Sequence, residues 1–260
     1  MKAVIKIGGA LLETRESREA LAREIKDAFA SHDIVVVHGW GKQLTKHLTD
    51  NGIETKFVNG LRVTTKEVLD GVKIVSKRVN RELVDAFNAD EPTLLAVGLE
   101  ILGVGMVDVV PMGPELGYVG RPINANAQLL DLQIRLGQLP VIACVGKDAN
   151  GQIYNVNADQ VAASCAQAFQ ACKLIFLTDV PGVAGPTNER LQHISAEQAQ
   201  RLIDSAVATG GMQAKLNAAL SALSAMGTRT REVVIAPGNR QGVVAAALAD
   251  VDIGTRVTLA

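Results

Sequence analysis

Cysteine is scarce in this 260-residue chain: Cys144, Cys165 and Cys172 are an odd number with no C-x-x-C pair. That argues against a disulfide framework or a cysteine zinc site, and for buried free thiols in a reducing, cytoplasmic compartment. The histidines His32, His38, His47 and His193 lack ligand spacing, so no resident metal is expected. Aromatic residues make up 3% of the chain, with Trp40 the single tryptophan. Long apolar runs are missing as well. Stretches such as 34–37 fall far short of the ~18 residues a membrane helix needs, so no membrane partner is expected. The N-terminal MKAVIKIGGALL breaks at Gly8-Gly9 and reads as a first strand, not a signal peptide. Net charge is nearly absent: 26 basic residues face 27 acidic ones, giving -1. That removes the usual signature of nucleic-acid binding. Neither G-x-G-x-x-G nor the P-loop string occurs, and Gly103-Val104-Gly105 carries only half of the former.

What is present is a core and an excess of glycine. Hydrophobic residues are 48% and charged residues 20%, enough to bury a core and to exclude disorder. Short β-branched runs alternate with helical periodicity. Strands are expected at 3–7, 33–38, 93–97, 139–145, 174–178, 232–236 and 255–259. Helices are expected at 17–30, 42–50, 66–87, 125–136, 159–169, 196–208, 212–226 and 243–248. The flanks of residues 103–105, including 106–110, read as a strand or hairpin. The strands are continuous apolar runs, which favours a mainly parallel sheet covered by helices on both faces. No linker composition interrupts the chain, so any division into lobes is compact, with a seam near residue 172.

The glycines have positions. Three glycine-bearing stretches follow expected strands: Lys6-Ile7-Gly8-Gly9, His38-Gly39-Trp40-Gly41 and Thr178-Asp179-Val180-Pro181-Gly182-Val183. In an α/β protein, ligands collect beyond the C-terminal ends of parallel strands. Glycines there expose backbone N–H groups to an anion, and a lysine beside them suits a phosphate. In Asn155-Val156-Asn157-Ala158-Asp159-Gln160, Asn157 or its neighbour caps a helix and Asp159 lies in its first turn. Three short polar residues are more than one cap requires. Asn155 is therefore a candidate substrate ligand, and Asp159 a candidate partner for lysines. Gly210-Gly211-Met212-Gln213-Ala214-Lys215 opens a helix, with Lys215 expected in the first turn, where a cation calls for a nearby anion. Arg62 follows a turn at Asn59-Gly60, and is either a carboxylate clamp or a surface charge. Trp40 is either a lid over a ligand or packed on a neighbouring lobe. His38 reads as a structural hydrogen-bonder.

In their order, the strings Lys6-Ile7-Gly8-Gly9, Val37-His38-Gly39, Asn59-Gly60-Leu61-Arg62-Val63-Thr64, Asn155 to Gln160, Thr178 to Val183 and Gly211-Met212 with Lys215 resemble the amino acid kinase family. They span nearly the whole chain, and the Asn-Gly-Leu-Arg-Val-Thr string points to its acetylglutamate branch. The resemblance implies a three-layer αβα sandwich with a mainly parallel central sheet of about eight strands. It also implies an N-terminal lobe (1–172) for the acyl amino acid and dimerisation, and a C-terminal lobe (173–260) for ATP. The implied reaction moves the γ-phosphoryl of ATP to a side-chain carboxylate, with Mg²⁺ held mainly by the ATP phosphates.

By the same resemblance Lys6, Asp159 and Lys215 are catalytic, and Gly8, Gly9, Gly39, Trp40 and Gly41 contact phosphate. Arg62, Asn155 and Asn157 bind substrate, while Thr178, Asp179, Gly182, Val183, Gly210 and Met212 bind nucleotide. Because the chain starts on a strand, a homodimer through the 65–88 helix is expected, without the arginine feedback of the hexameric form. Two departures stand out: Trp40 replaces the middle of three glycines, and Glu100-Ile101-Leu102 replaces a smaller string. They leave open a different N-acyl amino acid substrate (an N-acyl-aminoadipate or N-succinylglutamate), reduced activity, or a non-catalytic sensor.

Overall fold

The structure, a computed structural model, describes residues 1–89, 95–99, 106–249 and 251–260. Its strands are β1 (Lys2–Ile7), β2 (Asp33–His38), β3 (Phe57–Val58), β4 (Leu61–Arg62), β5 (Ala96–Leu99), β6 (Val107–Pro111), β7 (Val119–Ala125), β8 (Leu139–Ala143), β9 (Val145–Lys147), β10 (Ile153–Val156), β11 (Lys173–Thr178), β12 (Val183–Ala184), β13 (Arg190–Leu191), β14 (His193–Ser195), β15 (Glu232–Pro237) and β16 (Thr255–Thr258). Its helices are α1 (Arg15–Phe29), α2 (Gly41–Asp50), α3 (Lys66–Asn88), α4 (Ala127–Arg135), α5 (Ala158–Phe169), α6 (Ala196–Asp204), α7 (Gly210–Ser224) and α8 (Val243–Leu248), with a 3-10 turn over Gly9–Leu12.

The apolar runs behave as their composition dictates. β1, β2, β8, β11 and β15 are buried along almost their whole length, because both faces of the sheet are covered. They belong to one eight-stranded sheet in the order β14-β16-β15-β11-β1-β2-β8-β5. Neighbours run parallel, except β15 against β16. Helices α4, α5 and α7 pack together on one face and α1, α2, α3 and α8 on the other, which makes the three-layer sandwich.

Register decides where the site lies. Ile7 at the end of β1 pairs with His38 of β2 on one side and Leu177 of β11 on the other. The three glycine-bearing turns therefore leave adjacent strands at the same edge of the sheet. α3 spends its apolar face inside the chain: Val68, Val72, Val75, Val79, Leu83 and Phe87 are all buried. Ile74 is left outside at 57% exposure.

Several expectations shift. The strand expected at 139–145 divides into β8 and β9 at Cys144, because β6, β7, β9 and β10 close into a small barrel of their own. β7 runs to Ala125, so α4 starts only after Asn126, whose side chain caps it. Two hairpins, β3–β4 and β12–β13, were not anticipated. Residues 93–94 of one expected strand, Glu100-Ile101-Leu102 and Gly103-Val104-Gly105 lie outside the described residues.

Candidate active site

The first two glycine stretches meet backbone to backbone. A Cβ on Gly9 would sit 3.1 Å from the Gly41 nitrogen and 3.2 Å from the Trp40 nitrogen and Cα, tighter than the main chain tolerates. Gln43 Nε2 donates to the Gly9 carbonyl at 2.8 Å, pinning the start of α2 to this turn. The N–H groups of Gly8 and Gly39 are already used, donating to Leu177 O (2.9 Å) and Ile7 O (3.1 Å). Those of Gly9, Trp40 and Gly41 have no partner among the described residues. Three free donors at the start of a 3-10 turn and of α2 make a cradle suited to an anion. Trp40 takes part without backbone strain, since its φ is -149, outside the left-handed region.

Beside the cradle lies a buried charge cluster. Lys6 Nζ is 2.8 Å from Asp159 Oδ1, and Lys215 Nζ is 3.5 Å from Asp159 Oδ2. Lys6 and Asp159 are each 5% exposed. Burial alone would push the Asp159 carboxyl up, but the two ammonium groups outweigh it and hold it below its usual value. Burial depresses the Lys215 ammonium, with Asp159 opposing. Asn157 fixes the carboxylate in place: its side chain caps α5 by accepting from the N–H groups of Asp159 (2.8 Å) and Gln160 (3.2 Å). Lys215 falls in the second turn of α7, not the first, because that helix opens at Gly210. Its position is thus explained by Asp159 rather than by the helix end.

A cleft of about 220 Å³ opens onto this cluster. Arg62 forms one wall and is buried in a hairpin strand, not displayed on a surface turn. Its Nη2 donates to Thr45 Oγ1 (2.7 Å) and the Gly41 carbonyl (3.3 Å), and Phe57 stacks over it at 4.6 Å. Its Nη1 is buried with no partner among the described residues. Burial lowers its basicity, yet a guanidinium stays charged, so the geometry asks for a carboxylate. Asn155 Nδ2 donates to Thr64 Oγ1 at 3.1 Å, which ties β10 to the end of the hairpin. Trp40, Leu44, Val119, Cys144 and Val156 supply the apolar wall. Burial pushes the Cys144 thiol well up, and it donates to the His38 carbonyl at 2.9 Å, so it is inert lining.

The nucleotide-side candidates are more dispersed. Thr178 ends β11 and donates to the exposed Asp179 at 3.2 Å. Gly182 has φ +150, and a Cβ there would meet Thr255 Oγ1 at 2.7 Å. Val183 is fully buried and its N–H donates to Thr255 Oγ1 at 2.8 Å, which leaves it a structural anchor for the turn. Gly210 adopts φ +53 to start α7, and Met212 is half-buried one turn before Lys215.

Comparison with known proteins agrees with this geometry. Residues 1–236 match the Amino acid kinase family. The chain is an amino acid kinase family member. Its similar relatives include an acetylglutamate kinase of Solibacter usitatus (strain Ellin6076), 49% identical over 262 residues and spanning all of both chains. An acetylglutamate kinase of Geobacillus kaustophilus (strain HTA426) is 40% identical over 224 residues, 85% of each chain. Among solved structures, smu.665 from Streptococcus mutans UA159 gives a TM-score of 0.81 at 28% identity, covering 100% of this chain and 99% of that one. An N-acetylglutamate synthase from Neisseria gonorrhoeae, crystallised with coenzyme A and L-arginine, shares the fold with a TM-score of 0.87 at 24% identity. The present chain spans 61% of that synthase's length.

Within this amino acid kinase, the cleft residues Phe57, Leu61, Val119 and Cys144 escaped the sequence reading, as did Thr45, which holds Arg62 from behind. One signal was available. Asn59 and Gly60 adopt φ 49 and 77, the paired positive angles of a tight hairpin turn that Asn-Gly favours. That dipeptide could have placed Phe57 opposite Arg62, as the β3–β4 register does. Among the described residues no cluster of three His, Cys, Asp or Glu side chains could hold a metal, and no helix is long and apolar enough to cross a membrane.

Proposed function

We propose that the protein transfers the γ-phosphoryl group of ATP to the side-chain carboxylate of N-acetyl-L-glutamate, giving N-acetyl-L-glutamyl 5-phosphate and ADP. The observation that carries this reading is the convergence of buried Lys6 and half-buried Lys215 on Asp159 beside three unpaired backbone N–H groups. The acetylglutamate kinase similar to this chain over its whole length supports the choice of acceptor.

Arg62 holds the α-carboxylate through its free Nη1, with Asn155 beside it. That leaves the side-chain carboxylate facing the cradle. This group ionises near pH ~4.3, so it attacks the γ-phosphorus with no base required. One carboxylate oxygen forms the new P–O bond while the bond to the ADP oxygen breaks, and no proton moves. The protein's task is alignment and charge neutralisation. Lys6 and the N–H groups of Gly9, Trp40 and Gly41 meet the transferring oxygens. Lys215 meets them from the nucleotide side, and Asp159 fixes the spacing of the two lysines.

ATP lies along 173–260, against Asp179, Gly182, Gly210 and Met212, and the acyl amino acid lies in 1–172. Asp159 is committed to the two lysines, so Mg²⁺ would be held by the ATP phosphates and would supply charge neutralisation there. The protein works in the cytoplasm as a homodimer whose contact is the outer face of α3, where Ile74 is exposed.

Incubation with MgATP and a panel of N-acyl amino acids, with the acyl phosphate trapped by hydroxylamine, tests the reaction. Hydroxamate is expected with N-acetyl-L-glutamate. If another N-acyl amino acid yields hydroxamate and no acyl glutamate does, the acceptor is a different one; if none does, a non-catalytic role replaces this one.

A further inference from the structure

We propose that Trp40 is a specificity-determining residue, whose indole forms a rigid apolar wall limiting the acyl group to a short, uncharged one. The proposal rests on the reading above, that the cleft accepts an N-acyl glutamate.

Three observations carry it. The first is that the wall cannot recoil. Trp40 is 4% exposed while lining the cleft. Its main chain is wedged against Gly9, where a Cβ would come within 3.2 Å, and its carbonyl accepts from Leu44 N–H at 2.8 Å as α2 begins. Its ring meets His38 edge-on with centroids 5.7 Å apart. His38 is itself fully buried, and its Nε2 accepts from Asn80 Nδ2 at 2.9 Å. A side chain backed this way sets a size limit, because packed interiors do not yield without cost.

The second is the chemistry of the walls. Once Arg62 takes one carboxylate and the lysines face the other, the acyl arm is left with a mainly apolar lining that includes Trp40, Leu44, Val119, Cys144 and Val156, beside the Asn155 and Asn157 amides. That lining suits a methyl group and offers a longer polar arm little. The third is charge. The cationic groups lining the cleft are Lys6, which is paired with Asp159, and Arg62, which has one free nitrogen. A second carboxylate at the end of the acyl arm, as in a succinyl group, would be buried without a partner.

The test is kcat/KM of the full chain with MgATP for N-acetyl-, N-butyryl- and N-succinyl-L-glutamate. The wild type is expected to favour acetyl over butyryl by roughly ten- to a hundredfold, the range that added methylenes command in a fitted pocket. Succinyl should rank last. In W40A the acetyl-to-butyryl ratio should fall by about tenfold or more, with KM for ATP nearly unchanged. W40F keeps most of the bulk and should keep most of the preference. A purely structural tryptophan would lower all three substrates together and leave the ratio alone. An unchanged ratio in W40A overturns the proposal. So does wild-type turnover of butyryl or succinyl on a par with acetyl, and that arm holds even if W40A fails to fold. Hydroxamate from every substrate at similar rates removes the size limit alone. Hydroxamate from none removes the kinase assignment and the proposal with it.

Discussion

Lys6 and Arg62 line one cleft and Lys215 meets Lys6 at Asp159; the three like charges are expected to have different duties, which kinetics separates. A lysine that meets charge developing on the transferring group acts in the transition state. Lys6→Ala and Lys215→Ala should each lower kcat by about 10²–10³, with smaller changes in KM. In the proposed reaction Arg62 would bind a carboxylate that does not change. Arg62→Ala should raise KM for the acyl amino acid and leave KM for ATP nearly unaltered. Steady-state kinetics in both substrates checks the pair, and an ATP-only effect at Arg62 would reverse the assignment of the two halves. His38 makes a prediction about pH. Burial lowers it from 6.5 to about 4, so the folded protein keeps it neutral where the unfolded chain is protonated. Its contribution is complete above pH 6.5 and is lost as pH falls to about 4. The total is about 3 kcal/mol at 1.36 kcal/mol per pH unit. Urea unfolding across that window should show the loss, and His38→Gln should flatten it.

At the scale of elements, Asn157 stands between two explanations. It was expected to touch substrate, and its side-chain oxygen is spent on the first turn of α5. Asn157→Ala should cost about 1 kcal/mol of stability through the lost cap. It should also lower kcat by loosening Asp159. Asn157→Asp, which also caps, should restore both, whereas a pure substrate ligand would not be rescued. Thermal melts with kinetics read the two effects together. Most strands of the main sheet were legible because burial on both faces leaves an apolar run to read, as in the middle of β2 and β11, whereas the three-residue edge strand β14 was missed. The barrel strands were not. β7 reads VGRPINA, with an arginine and a proline in the run, and its exposure alternates irregularly. β3 is two exposed residues whose partner across the turn decides their conformation. The lysine–aspartate cluster was legible because each member sits in a distinctive local string. Thr45 and Cys144 sit in ordinary helix and strand sequence, and only tertiary packing brings Cys144 to the cleft and Thr45 to Arg62.

For the whole molecule, the central fact is that the two halves share one sheet. β1 from the first half pairs along its length with β11 from the second. Calorimetry should therefore record one cooperative transition, not two, with calorimetric and van't Hoff enthalpies in agreement. If α3 joins two copies through its outer face, Ile74→Glu should shift the protein from dimer to monomer in sedimentation, without loss of folded content. The inward face of α3 is already consumed by the core, so the interface must be built from residues such as Ile74, Lys77 and Arg78.

The tryptophan at the cleft floor has a last consequence, an optical one. The chain has a single tryptophan, so its indole emission originates at one place. That place is the junction of the two glycine turns, within the cleft that holds Lys6, Arg62 and Asp159. A change in emission on adding acyl amino acid or nucleotide would report from the site itself, free of background from distant indoles. The protein thus carries its own titration probe, and the order in which its two substrates arrive can be read without attaching a label.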